Sequence, residues 1–129
     1  MLDTVGLIAL WDEADQWHVA ATRVYEQLGL GRTQLWTTTF ILAECGNAAA
    51  RRPYRGAVSR LLDQLTVSDR LVTPTDEDWD AAWSAYRRGD AGSAGIVDQI
   101  SFAVMRRLGV TRAFTNDNHF RAAGMEPLF

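Results

Sequence analysis

Apolar residues along the chain fall into helical stripes separated by short runs that read as strands. Val5 to Trp11 is a continuous apolar stretch. After it, Val19, Ala20, Val24, Tyr25 and Leu28 recur at helical spacing, as do Val58, Leu61, Leu62 and Leu65 further on. Thr38 or Thr39 caps a helix that runs to about Arg52 and stops at Pro53. Asp15 is the expected cap of the second helix, which Gly29 and Gly31 end. Thr75 with Asp78 has the spacing of a capping box and opens a helix carrying Trp79, Ala82, Trp83 and Tyr86. Its acids Asp76, Glu77, Asp78 and Asp80 favour the helix N-terminus. A last long helix spans Gly95 to Gly109, and a short one follows Asn116 and stops near Gly124.

Between these helices lie the strand candidates. They are the stub Met1–Asp3, Gln34–Thr37, Arg70–Thr73 and Val110–Thr115, with Leu128 and Phe129 as a last edge strand. Strands alternating with helices predict an α/β fold, a three-layer α/β/α sandwich around a short parallel sheet. At 129 residues the chain is expected to form one domain, residues 1–129, that buries about two thirds of its unfolded surface.

The helix after Gly95 carries an acid where an apolar residue is expected. Asp98 sits among Ile96, Val97 and Ile100, and a carboxylate in such company must cap, pair or hold a cation. Asp3, Glu44 and Asp117 likewise lie at the edges of apolar elements. Acids from separate segments repel when brought together unless a cation joins them, so the pattern points to one shared cation site. Asp3 and Asp117 follow strands, and in an open parallel sheet the ligand site lies beyond the strands' carboxyl ends. Without histidine or thiolate in the set, the donors are hard oxygens that suit Mg²⁺ or Mn²⁺. Such a cation activates water for attack on a phosphodiester.

Composition removes competing chemistries. All 13 basic residues are arginine, so Schiff-base enzymes, lysine-dependent phosphate loops and aspartyl-phosphate receivers are excluded. A single Cys45 and two histidines, His18 and His119, give no disulfide and no structural zinc spacing. His18 reads as a surface or capping histidine. A net charge of -3 argues against non-specific coating of nucleic acid, but not against an enzyme that cuts it. No apolar run approaches the roughly 20 residues of a membrane span, and the expected location is cytoplasmic.

Asp3-Thr4-Val5-Gly6-Leu7-Ile8, Ala43-Glu44, Ile96-Val97-Asp98 and Thr115-Asn116-Asp117-Asn118-His119-Phe120 together resemble the motifs of the PIN domain. The resemblance covers essentially the whole chain and is closest to the VapC-like ribonuclease toxins of type II toxin-antitoxin systems. It implies a metal-dependent endoribonuclease in which Asp3, Glu44, Asp98 and Asp117 are the metal-binding acids and a metal-activated water is the nucleophile. Thr4 and Asn116 would be supporting polar groups, with His119 and Phe120 orienting the turn. It also implies an RNA substrate, an inhibitory antitoxin that packs across the site, and a homodimer joined along helices.

A PIN-like binding module without turnover is the alternative, though a pure binder has no need to gather like charges. Trp11, Trp17, Trp79 and Trp83 are each expected in the core before an interface. Arg51, Arg52, Arg55, Arg87 and Arg88 are expected as solvated helix ends before contacts to RNA or antitoxin.

Overall fold

The computed structural model describes residues 1–129. In chain order the elements are α1 (Thr4–Trp11), α2 (His18–Leu30), β1 (Thr37–Thr38), α3 (Thr39–Ala49), α4 (Arg55–Val67) and β2 (Leu71–Val72), then α5 (Asp76–Arg88), α6 (Ile96–Leu108), β3 (Arg112–Ala113), α7 (Asn118–Ala122) and β4 (Glu126–Pro127). β1 pairs in parallel with β2, and β3 in parallel with β4. The N-terminal segment lies between the two ladders: Leu2 forms a parallel bridge with Phe114, and its backbone N–H donates to Trp36 O at 2.8 Å. The expected α/β arrangement with a short parallel sheet is what the chain adopts.

Two residues are enough for the first strand because both are held on either side. Leu2 is fully buried, Phe114 N–H donates to Met1 O at 2.7 Å, and the buried Thr37 hydroxyl donates to Leu2 O at 2.8 Å. The core then fills around Phe102, Phe114 and Phe120, all fully buried. Phe102 and Phe120 meet edge to face at 4.9 Å, an arrangement favoured by the ring quadrupoles.

Helix starts follow side-chain capping where a suitable residue is present. Thr38 caps α3, accepting from Ile41 N–H, and Thr75 and Asp78 form the expected reciprocal box on α5. Asp78 has a second partner: the Arg107 guanidinium of α6 donates three hydrogen bonds to its carboxylate at 2.8 to 3.0 Å, joining α5 to α6. Gly109 ends α6 in a left-handed conformation, φ 66°, which glycine adopts without strain.

Several expected boundaries shift. Asp15 accepts from Trp17 N–H in a turn ahead of α2 rather than capping it, and His18 begins the helix. The His18 Nδ1–H donates to Ala9 O at 2.9 Å, tying α2 to α1. α3 ends at Ala49, not Arg52, because turns precede Pro53. The last strand pairs at Glu126–Pro127, two residues earlier than expected, since Glu126 N–H bonds to Thr111 O as the chain leaves α7. Trp17 and Trp79 are not core residues: they are 43% and 41% exposed.

Candidate metal-binding cleft

Asp3 stands where the N-terminal strand turns into α1, and it caps that helix. Its Oδ2 accepts from Val5 N–H at 3.3 Å and from the Thr115 hydroxyl at 2.8 Å, leaving Oδ1 without a hydrogen bond. The start of α1 lies hard against the neighbouring strand through Gly6. A Cβ there would stand 2.0 Å from Phe114 O, so glycine is what lets Asp3 and Thr115 meet.

Glu44 projects from the middle of α3 and accepts from the Thr4 hydroxyl at 2.7 Å. Glu44 is half-buried and hydrogen-bonded rather than a solvated surface acid. Asp98 lies in the first turn of α6, and its Oδ2 accepts from Gly95 N–H at 2.9 Å. It is thus a cap for its own helix as well as a neighbour of the other acids. Asp117 caps α7 through His119 N–H at 2.8 Å, and its own N–H donates to the Thr115 hydroxyl at 3.1 Å.

Asp3, Thr4, Glu44, Asp98 and Asp117 line one open cleft, with Val5, Asn47 and Ala48 completing its wall. Asn116 does not line it, and its side chain makes no hydrogen bond; it lies in the turn between Thr115 and Asp117. Thr115 escapes a reading of the sequence, and His119, expected only to orient its turn, stands closer to the acids than expected. Thr115 looks like one more residue of a strand, yet its hydroxyl links Asp3 to the backbone of Asp117. His119 brings its Nδ1 to 2.9 Å from Asp117 Oδ1, with Ser93 Oγ at 3.2 Å from its Nε2.

Burial raises two of the acids, and their neighbours' charges add to it. Burial pushes the Asp3 carboxyl up to about 7, against the Thr115 hydrogen bond, and the charges of Asp98 and Asp117 add to the rise. Asp98 is also raised, by burial first and then by Asp117 and Glu44, while the Gly95 N–H and His119 act in the opposite sense. Crowded carboxylates with raised pKa values and no arginine among them are the electrostatic condition that a divalent cation relieves. Asp98, Asp117 and His119 each offer a donor atom, all within 4.8 Å of one another, so the residues present fit a small cation. Cys45 beside them is not a thiolate donor: it is fully buried, and burial pushes its thiol up to about 12.

A parallel α/β domain with oxygen donors gathered beyond the ends of its strands has the layout of a site that can take a hard cation. The chain belongs to the PIN domain family, whose model matches residues 1–125. It is 31% identical over 124 residues to the 23S rRNA-specific endonuclease VapC20 of Mycobacterium tuberculosis, in strains CDC 1551 and H37Rv, covering 95% of this chain and 92% of the relative. The crystal structure of M. tuberculosis VapC20, described as a sarcin-ricin loop cleaving toxin, superimposes with a TM-score of 0.80 at 26% identity. That match covers 96% of this chain and 94% of the other.

Proposed function

We propose that residues 1–129 form a single PIN ribonuclease domain, the toxin of a type II toxin-antitoxin pair. The convergence of Asp3, Glu44, Asp98 and Asp117 on one cleft carries this reading. These four acids would hold Mg²⁺ or Mn²⁺, with His119 near enough to Asp98 and Asp117 to share in the site. When bound, the cation lowers the pKa of a water for attack on phosphorus and stabilises charge on the leaving oxygen.

The chain's own residues orient the donors. Thr115 fixes Asp3, Thr4 fixes Glu44, and Gly95 N–H fixes Asp98, so each carboxylate keeps one anchored oxygen. Asn116 supports the site only through the turn it occupies. The similarity to VapC20 makes 23S rRNA, and its sarcin-ricin loop, the first substrate to offer. Action there would put the protein in the cytoplasm, where an antitoxin would restrain it and a homodimer would present two clefts. No helix is long and apolar enough to cross a membrane.

The deciding experiment incubates 23S rRNA and a transfer RNA pool with the protein plus Mn²⁺ or plus EDTA, comparing the parent with Asp98→Asn. Cleavage confined to parent plus metal is expected. RNA left intact by the parent in the presence of bound metal would favour the binding module without turnover.

A further inference from the structure

The ring of His119 has one partnered nitrogen and one without a partner. Its Nε2 stands 3.2 Å from Ser93 Oγ, whereas its Nδ1 is buried and enters no hydrogen bond. A buried polar atom left in that state is costly and calls for an explanation. The ring is no part of the cleft's open wall, and it meets the acids through the buried atom. Nδ1 lies 2.9 Å from Asp117 Oδ1, and His119, Asp98 and Asp117 have donor atoms all within 4.8 Å of one another. Asp117 Oδ1 accepts from the His119 backbone N–H at 2.8 Å, not from the ring. Two ligands at right angles on an octahedral ion with bonds of about 2.1 Å stand about 3.0 Å apart, each roughly 45° off the other's line to the metal. A close contact between ring nitrogen and carboxylate oxygen with no hydrogen bond along it has that form.

Ser93 supplies the support that a ligating imidazole needs. A metal-bound histidine donates its other ring N–H to an oxygen, which fixes both tautomer and ring orientation. With the ring proton on Nε2 and directed at Ser93 Oγ, Nδ1 keeps its lone pair for a cation. The turn that carries Ser93, residues 89–95, is itself fixed: the buried Gln99 donates to Asp90 O at 2.6 Å, and Ala94 is buried. Two residues on from Ser93, Gly95 N–H holds Asp98 Oδ2. One turn therefore supports two donors, the His119 ring through Ser93 and the Asp98 carboxylate through Gly95.

We infer that His119 is a nitrogen ligand of the cation, held in its Nε2–H tautomer by Ser93, and that it makes the site select Mn²⁺ over Mg²⁺. Mg²⁺ takes oxygen donors and gives up its waters reluctantly, whereas imidazole suits transition ions. The four acids alone supply only oxygen, so the ring is what separates the two ions. A ring that merely paired with Asp117 would direct an N–H at Oδ1, and none is directed there. The inference rests on the cation site proposed above and adds a nitrogen to it.

The test titrates the full chain with Mn²⁺ and with Mg²⁺ by calorimetry and reads the ligand atoms of the Mn²⁺ form by pulsed electron paramagnetic resonance. The parent is compared with His119→Ala, Ser93→Ala and Ser93→Thr, and circular dichroism confirms folding. The parent is expected to bind Mn²⁺ at least about tenfold more tightly than Mg²⁺. Its spectrum should carry coupling to one imidazole nitrogen, which changes pattern when histidine alone is labelled with ¹⁵N. His119→Ala should lose that coupling and more than about tenfold in Mn²⁺ affinity, with Mg²⁺ affinity held within about threefold. Ser93→Ala should weaken Mn²⁺ by about tenfold, and Ser93→Thr, which keeps the hydroxyl, should restore it. A Mn²⁺-loaded parent without histidine coupling overturns the inference whether or not any variant folds, and so does a folded His119→Ala that keeps the parent's ratio of Mn²⁺ to Mg²⁺ affinity. A Ser93→Ala that matches the parent overturns the part given to Ser93. Metal-dependent RNA cleavage by a parent that lacks the coupling would strike this inference and leave the nuclease reading standing, while a parent that binds neither ion would strike both.

Discussion

Asp3 and Thr115 are 112 residues apart in the chain and share a buried hydrogen bond of 2.8 Å. The Thr115 hydroxyl is the one side-chain donor to a carboxylate that is only 3% exposed. Thr115→Val keeps the shape and removes the hydroxyl, leaving Asp3 Oδ2 with only the longer Val5 N–H bond and Asp117 N–H without its acceptor. It should cost about 1–3 kcal/mol of stability in urea unfolding at neutral pH. Below about pH 4, where Asp3 is neutral, the loss should shrink, because a neutral carboxyl can donate elsewhere. An equal loss at both pH values would mean that Thr115 acts through packing or through the bond it accepts from Asp117 N–H rather than through Asp3.

The raised Asp3 carboxyl makes metal-free stability depend on pH with a definite sign. A carboxyl raised from 3.8 to about 7 binds more protons in the folded state, so its contribution is fully present below about pH 4 and is lost as pH climbs towards 7. Asp98 acts in the same direction. Two groups oppose it. The Met1 ammonium, lowered from 8.0 to about 6 by burial and by Arg112, favours the fold as pH rises between those values. Asp78 resists burial but is held below its usual range by Arg107 and the Thr75 N–H, so its contribution is lost only in strong acid. The window between pH 4 and 6 is therefore the clean one, and the urea midpoint in EDTA should fall across it. Asp3→Asn should flatten that slope.

Much of the site was legible because an acid beside an apolar run is costly wherever it lands, and cost can be read without coordinates. Asp3, Glu44, Asp98 and Asp117 each carried that mark, and all four line the cleft. Thr115 carried none, since a threonine in a strand is ordinary, and His119 was expected only to orient its turn until its ring is placed beside Asp117. Asn116 shows the converse: adjacency to Asp117 in sequence suggested a place among the acids, yet it does not line the cleft. The helices were legible from period and caps. The strands were less so, because at two residues each they are defined by their neighbours' hydrogen bonds rather than by their own pattern. Gly6 gave no signal either, since its role is set wholly by Phe114 on another strand.

Asp98 has two attachments, and one substitution separates them. Asp98→Asn retains an oxygen that can accept from Gly95 N–H, so the helix cap survives, while the charge facing Asp117 and Glu44 disappears. The metal-free variant should melt at or above the parent, because a carboxyl raised by its surroundings destabilises the fold when ionised. Titration with Mg²⁺ or Mn²⁺ should raise the melting temperature of the parent by linkage and leave that of the variant nearly unchanged. A variant that melts well below the parent in EDTA would show that the charged cap outweighs the repulsion.

Gly6→Ala sets helix propensity against packing. In an exposed helix interior the change would stabilise by roughly 1 kcal/mol, since alanine loses less conformational freedom. Here the new methyl would meet Phe114 O at 2.0 Å and the Phe114 ring at 2.9 Å, and the nearest obstacle is backbone that cannot rotate aside. Overpacking of that kind costs typically 1–3 kcal/mol and can exceed it, so steric cost should win and the variant should melt below the parent. Relief can come only by moving the start of α1 off the strand, which lengthens the Thr115 to Asp3 hydrogen bond. Divalent affinity, measured by calorimetry, should therefore fall together with stability. If stability falls while affinity is unchanged, α1 has yielded at its far end and Asp3 has kept its place.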